Sequence, residues 1–283
     1  MSVQFIENDG GKLAVEVRGS NAAAPLIVCS PGLGDTRDAY YPVADQLVAA
    51  GYRVALVDLR GLGESSTSFT QCGDLATASD FIKVAEALRS SATEKVVLAG
   101  ASLSAGAATI AAGQRPDLVA GLVLLGPFLR NGNIGAVFRV AMAVMLWRPW
   151  GPWIWKTYAA TMWPGLGPDN AKARAQSTTA LLTRSEGKRW AAFQALSGSI
   201  NHDDVTPFLP KVKSQPALVV MGDKDPDWTD PLAEAVWVAS NFETVTSLTV
   251  VGAGHAPMYE KPDIVGPEFV RFMNGLRNGG AFK

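Results

Sequence analysis

Short apolar runs rich in β-branched residues recur along the chain at 26–29, 53–57, 95–99, 122–125, 217–221 and 247–251. Each has the length of a strand buried on both faces, the pattern of a parallel sheet. Upstream, 3–17 holds two further strand-like runs around Asn8-Asp9-Gly10-Gly11, residues that favour a tight turn, and predicts an antiparallel hairpin. Together these make eight strands. Helical patterns occupy several of the gaps, notably 41–50, closed by Gly51, and 75–89. Alternating strand and helix predicts an α/β fold: an eight-stranded, mostly parallel sheet covered by helices on both faces.

The alternation stops after Leu125, and a long interval passes before the strand at Ala217, too long for a structureless loop in a compact domain. It therefore predicts a helical cap inserted after the sixth strand. The expected organisation is a core formed by 1–126 and 208–283 with a cap at 127–207. The first part of the cap holds Trp147, Trp150, Trp153, Trp155 and Trp163, five of the eight tryptophans. Within it, 134–147 is apolar nearly all round and predicts a helix covered on several sides. The stretch 169–197 predicts two polar helices, with Asp169 and Ser185 as N-caps.

Composition narrows the function. The 283 residues carry 25 Lys or Arg against 26 Asp or Glu, so there is no basic excess with which to grip a phosphate backbone, and no nucleic-acid partner is expected. Charged residues are only 18% of the chain and hydrophobic ones 48%, which leaves apolar surface available for contact. The N-terminal residues lack a basic region followed by an apolar one, and 134–147 is too short to cross a bilayer. The expectation is a cytoplasmic protein without stable membrane insertion. Two cysteines make no disulfide framework, and two histidines, His202 and His255, exclude a histidine-rich metal site.

In a doubly covered parallel sheet, ligands bind beyond the carboxyl ends of the strands. Gly100-Ala101-Ser102-Leu103-Ser104-Ala105-Gly106 follows the run at 95–99 and passes into a helical pattern. Small residues flank Ser102 at a strand-to-helix turn, where a nucleophile is held on a tight turn and the helix start points amides at an oxyanion. Ser104 gives a second register, but lies inside the helix by the count from the strand end. A serine needs a base. His255, in Gly252-Ala253-Gly254-His255, lies beyond the last strand, whereas His202, before a helix start, reads as a capping or surface residue. The base needs an acid to fix its tautomer, and Gly222-Asp223-Lys224-Asp225-Pro226-Asp227 offers three. Periodicity does not choose among them.

At these residues the chain resembles the α/β-hydrolase family, from Leu26 to about Met273. Ser30-Pro31-Gly32-Leu33-Gly34 is similar to its oxyanion segment, with Pro31 where histidine is frequent. Asp58-Leu59-Arg60-Gly61-Leu62-Gly63-Glu64-Ser65 is similar to its D-x-R-G-x-G-x-S turn, for which a structural role of Asp58 and Arg60 is expected. Gly222-Asp223-Lys224-Asp225-Pro226 resembles the acid loop and singles out Asp225, and Gly252-Ala253-Gly254-His255 resembles the histidine loop. Two departures are Ala101, where many members carry histidine, and Ser104, where glycine is usual.

The resemblance implies a serine carboxylesterase or lipase-like enzyme with Ser102, Asp225 and His255 as catalytic triad and the amides of Leu33 and Leu103 as oxyanion hole. It implies no cofactor and no metal, with water as co-substrate. The substrate wall is assigned to Trp147, Trp150, Trp153, Phe128 and Met258, and an apolar acyl or aromatic ester is expected. The apolar cap offers a contact to a second copy, as a homodimer, or transiently to lipid. Thioesterase, amidase, carbon–carbon bond hydrolase and cofactor-free perhydrolase share this triad, and a non-catalytic ligand receptor shares the shape. A dinucleotide site fails at its third glycine, where Arg37 stands.

Overall fold

The computed structural model describes residues 2–131, 142–184 and 188–282. The sheet has eight strands: β1 Val3–Asn8, β2 Gly11–Arg18, β3 Leu26–Ser30, β4 Arg53–Val57, β5 Val96–Ala101, β6 Val119–Leu125, β7 Ala217–Gly222 and β8 Val245–Val250. Their order is β1-β2-β4-β3-β5-β6-β7-β8. β1 and β2 form the expected hairpin, pairing Asn8 with Gly11 across Asp9 and Gly10, both of which take the positive φ that such a turn requires. β2 meets β4 antiparallel, and every pairing from β4 through β3 to β8 is parallel.

β3 to β7 are buried along their whole length because helices cover both faces. The two-residue period divides their side chains: Ile27 and Cys29 face one apolar core, Leu26 and Val28 the other. The first core is completed by α1 (Tyr41–Ala49) and the C-terminal helix Pro262–Asn278. The second is completed by α2 (Asp74–Leu88), α3 (Leu103–Gln114) and a helix at Pro231–Ala239. β8, at the edge, is mostly exposed and runs from Val245 to Val250 rather than over 247–251, because an edge strand need not be continuously apolar.

The interval between β6 and β7 is helical in its described parts: α4 (Gly151–Ala159), α5 (Pro168–Leu182) and α6 (Lys188–Ser199), with 3-10 turns at Pro164–Leu166 and His202–Lys211. α4 buries Gly151, Trp155 and Ala159, one residue per turn. Trp155 packs on Phe193 with ring centroids 4.7 Å apart, and Phe193 on Trp190 at 5.0 Å, which continues the first apolar core into the insertion. α5 begins two residues earlier than the sequence suggested: Gly167, not Asp169, holds the N-cap position and Asp169 lies in the first turn. Ser185, and most of the apolar stretch 134–147, lie outside the described residues.

The chain leaves β3 toward β4 on one side and returns across the sheet to β5 on the other. The carboxyl ends of β3 and β5 therefore flank the point where the strand order reverses, the place at which a ligand crevice forms in such sheets.

Candidate active site

Ser102 follows β5 directly, at φ 58° and ψ −126°. A residue with a side chain occupies this region only when its surroundings impose it. Here Ser102 N–H donates to the carbonyl of Leu125 in β6 at 2.9 Å, and its own carbonyl accepts from Ala105 at 3.0 Å. Gly100 is needed because a Cβ there would strike the Ser104 carbonyl. Ser102 holds the N-cap position of α3, yet its hydroxyl makes no capping bond. Ser104 differs: its hydroxyl is fully buried and donates to the carbonyl of Pro31 at 2.6 Å, which ties α3 to the loop after β3.

That loop runs against the serine. A Cβ on Gly32 would come within 2.8 Å of the Ser102 Cβ, so glycine permits the approach. Leu33 follows in the same turn, and Leu103 is the first residue of α3, where backbone amides have no helical acceptor. Both predicted oxyanion donors thus belong to segments that abut Ser102.

The turn after β7 separates the three aspartates. Asp223 accepts from the Gly252 amide at 2.6 Å and holds the histidine loop. Asp225 accepts from Nδ1 of His255 at 2.8 Å and, through its other oxygen, from the Asp227 amide at 3.0 Å. Asp227 places an oxygen 3.4 Å from Nε2 of His255 and accepts a hydrogen bond from the Tyr158 hydroxyl of α4. His255 and Asp225 are both buried, and Nε2 has no hydrogen-bond partner among the described residues. Burial is the largest influence on the imidazole and lowers its pKa. The carboxylates of Asp225 and Asp227 outweigh it and push the value up to about 9.

Gly126 joins the two halves of the rim. It follows Leu125, the residue that holds Ser102, and a Cβ on it would lie 2.7 Å from the His255 carbonyl and 3.4 Å from both Nδ1 and the Asp225 carboxylate. Two residues on, Phe128 N–H reaches the Ser102 carbonyl at 3.4 Å, and its ring meets that of His255 edge-on at 5.8 Å. The ligand atoms of Asp225, Asp227 and His255 also lie within 4.8 Å of one another, a grouping a cation would need, but most of their oxygens already accept hydrogen bonds.

The insertion rests on all three loops. Arg174 of α5 pairs with Asp35 and, at 2.6 Å, with Asp38, both just beyond the oxyanion segment. The indole of Trp155 closes over Gly34. The Met162 carbonyl accepts from the His255 amide at 2.8 Å, and the buried Glu260 carboxylate gathers the amides of Gly165, Gly254 and Ala256.

Among the predicted substrate contacts, Phe128 lies at the site and Met258 is buried in the short helix Pro257–Glu260 after the histidine loop. Trp147, Trp150 and Trp153 are exposed. Trp155, Tyr158 and Trp228 are the large aromatic side chains that meet the site loops, and sequence reading missed them in this role; Trp228 stacks on Phe128 at 4.7 Å. His202 requires a correction, because it is buried rather than at the surface. Its Nδ1 lies 2.8 Å from Asp74, and its ring stacks on Phe128 at 4.9 Å. Asp58 accepts from the Arg37 and Glu64 amides, and Arg60 grips Asp80 with two nitrogens, which organises the turn after β4.

Comparison with known proteins gives a consistent picture. The profile of the Alpha/beta hydrolase family matches residues 27–266. Among solved structures, a thermophilic esterase from Thermogutta terrifontis is 23% identical with a TM-score of 0.80, over 98% of this chain and 99% of that one. An esterase from a Rhodococcus species is 24% identical, TM-score 0.75, over 98% and 100%. The enol-lactonase from Burkholderia xenovorans is 20% identical, TM-score 0.78, over 96% and 100%. No curated protein matches the sequence.

Proposed function

The chain belongs to the alpha/beta hydrolase family, and from that premise we propose that it is a serine esterase acting through Ser102, His255 and Asp225. The observation that carries this reading is the buried Asp225–His255 pair, whose Nε2 makes no hydrogen bond and lies 3.4 Å from Asp227, on the rim that also holds Ser102 in a left-handed conformation. Ser102 Oγ attacks the ester carbonyl carbon while neutral His255 takes its proton. The amides of Leu33 and Leu103 stabilise the oxyanion. The tetrahedral intermediate expels the alcohol, which receives the proton from His255. Water, activated by the same imidazole, then cleaves the acyl-serine to release the acid and restore the hydroxyl. Asp225 fixes the tautomer and balances the imidazolium.

Residues 127–207 serve in this reading as a cap over a core of 1–126 and 208–283. Trp155, Tyr158, Trp228 and Phe128 set aromatic rings against the loops that carry the site, which favours an apolar acyl or aromatic ester. Hydrolysis of p-nitrophenyl esters of increasing acyl length, beside an acyl-CoA and an amide, tests it. Turnover should be greatest for uncharged apolar esters; equal turnover of charged hydrophilic esters, or preference for the thioester or amide, would overturn the assignment.

A further inference from the structure

The described part of the insertion sorts its tryptophans into two sets. Trp155, Trp163 and Trp190 are buried, whereas Trp147, Trp150 and Trp153 stand 62%, 44% and 66% exposed, and Val144 54%. Two of the exposed rings touch, and the third lies on the next helical turn. The rings of Trp147 and Trp150 meet edge-on at 5.9 Å, and the Trp150 indole N–H donates to the Val144 carbonyl at 2.9 Å. Trp153 lies one turn beyond Trp150, its amide bonded to the Trp150 carbonyl at 3.0 Å. Single exposed apolar side chains need no explanation, but three neighbouring exposed indoles mark a contact surface.

Charge indicates what the surface contacts. Arg148 and Lys156 are exposed within the same stretch, and 142–168 contains no Asp or Glu. Across 127–207, nine Lys or Arg stand against four Asp or Glu, while the rest of the chain has sixteen against twenty-two. Arg130 and Arg174 are neutralised by Glu234, Asp35 and Asp38 of the core, whereas Arg148 and Lys156, in the stretch that displays the indoles, pair with no carboxylate among the described residues. A second copy pairing symmetrically through this face would bring like charges together. An anionic lipid surface would attract them, and indole rings with neighbouring basic side chains are the combination that settles at the headgroup level.

We propose that the Trp147, Trp150 and Trp153 face, with Arg148 and Lys156, docks the protein peripherally on a bilayer rich in anionic phospholipid. Among the described residues no helix is long and apolar enough to cross a membrane, and the contact inferred here is adsorption by side chains.

Co-sedimentation of the full chain with vesicles of phosphatidylcholine alone, and of phosphatidylcholine mixed with phosphatidylglycerol, tests this without reference to hydrolysis, so it stands or falls separately from the esterase reading. Binding is expected to the mixed vesicles only, to weaken with salt, and to shift tryptophan emission to the blue. Combined Arg148→Glu and Lys156→Glu substitution should weaken binding about ten-fold or more. Combined Trp147→Ser and Trp153→Ser substitution should do the same with the melting temperature retained; Trp150 is left intact because its N–H bond is internal. Should the tryptophan variant fail to fold, the charge-reversed variant decides. Absent binding, equal binding to both vesicle types, variants that bind like wild type, or self-association through this face in place of vesicle binding would each overturn the proposal.

Discussion

Asp227 sets a carboxylate oxygen 3.4 Å from Nε2 of His255, opposite the nitrogen that Asp225 holds at 2.8 Å. The imidazole therefore lies between two carboxylates, and Tyr158 from the insertion holds the outer one in place by donating to its other oxygen. This arrangement favours the imidazolium, whereas the proposed general base is the neutral ring.

The pH dependence follows. With the His255 value raised to about 9 from an ordinary 6.5, kcat/KM for a neutral ester should climb with pH toward about 9. Asp227→Asn removes one flanking charge, and the acid limb should move down by about one unit. An unmoved limb would show that the contact does not govern titration. The same raised value makes protonated His255 stabilising: that contribution is complete below pH 6.5 and is lost as pH rises through about 9, which denaturation at pH 6 and pH 10 would register.

Arg174 is the ion-pair partner through which the insertion holds Asp35 and Asp38 beside the oxyanion segment. Its guanidinium is buried, as is Asp35, so removing it strands a carboxylate. Arg174→Met should lower stability by about 3–5 kcal/mol. Urea denaturation measures this, and a loss below about 1 kcal/mol would mean that the insertion is anchored elsewhere. Glu260 with its three amides is the alternative anchor.

The backbone of Ser102 carries its own test. At φ 58° glycine is at ease and alanine is strained in the same way as serine. Ser102→Gly should therefore be more stable than Ser102→Ala by about 1 kcal/mol, although both lose the hydroxyl. Equal stabilities would indicate that the turn relaxes when the side chain changes.

The sheet was legible because β3 to β7 are buried on both faces and so are continuously apolar; β8 was legible only in part, because an edge strand has no such requirement. β6 begins earlier than its apolar run suggests, since Gly121 interrupts the pattern while the pairing continues through it. Ser102, Asp225 and His255 stand in loops whose small residues are themselves a signal. Tyr158, Trp155 and Arg174 carry none: they reach the site from helices of the insertion, and their neighbours lie far away in sequence. His202 was misread because a buried partner such as Asp74, 128 positions away, leaves no local trace. The tryptophans clustered in sequence separate in space, because α4 turns Trp155 inward and Trp153 outward.

Labelling by a fluorophosphonate probe tests the central assignment most directly. Wild type and Ser104→Ala should both react, the latter less stable by about 1 kcal/mol for loss of its bond to Pro31. Folded Ser102→Ala should not react. Labelling of Ser102→Ala at the wild-type rate, or no labelling of the folded wild type, would contradict it.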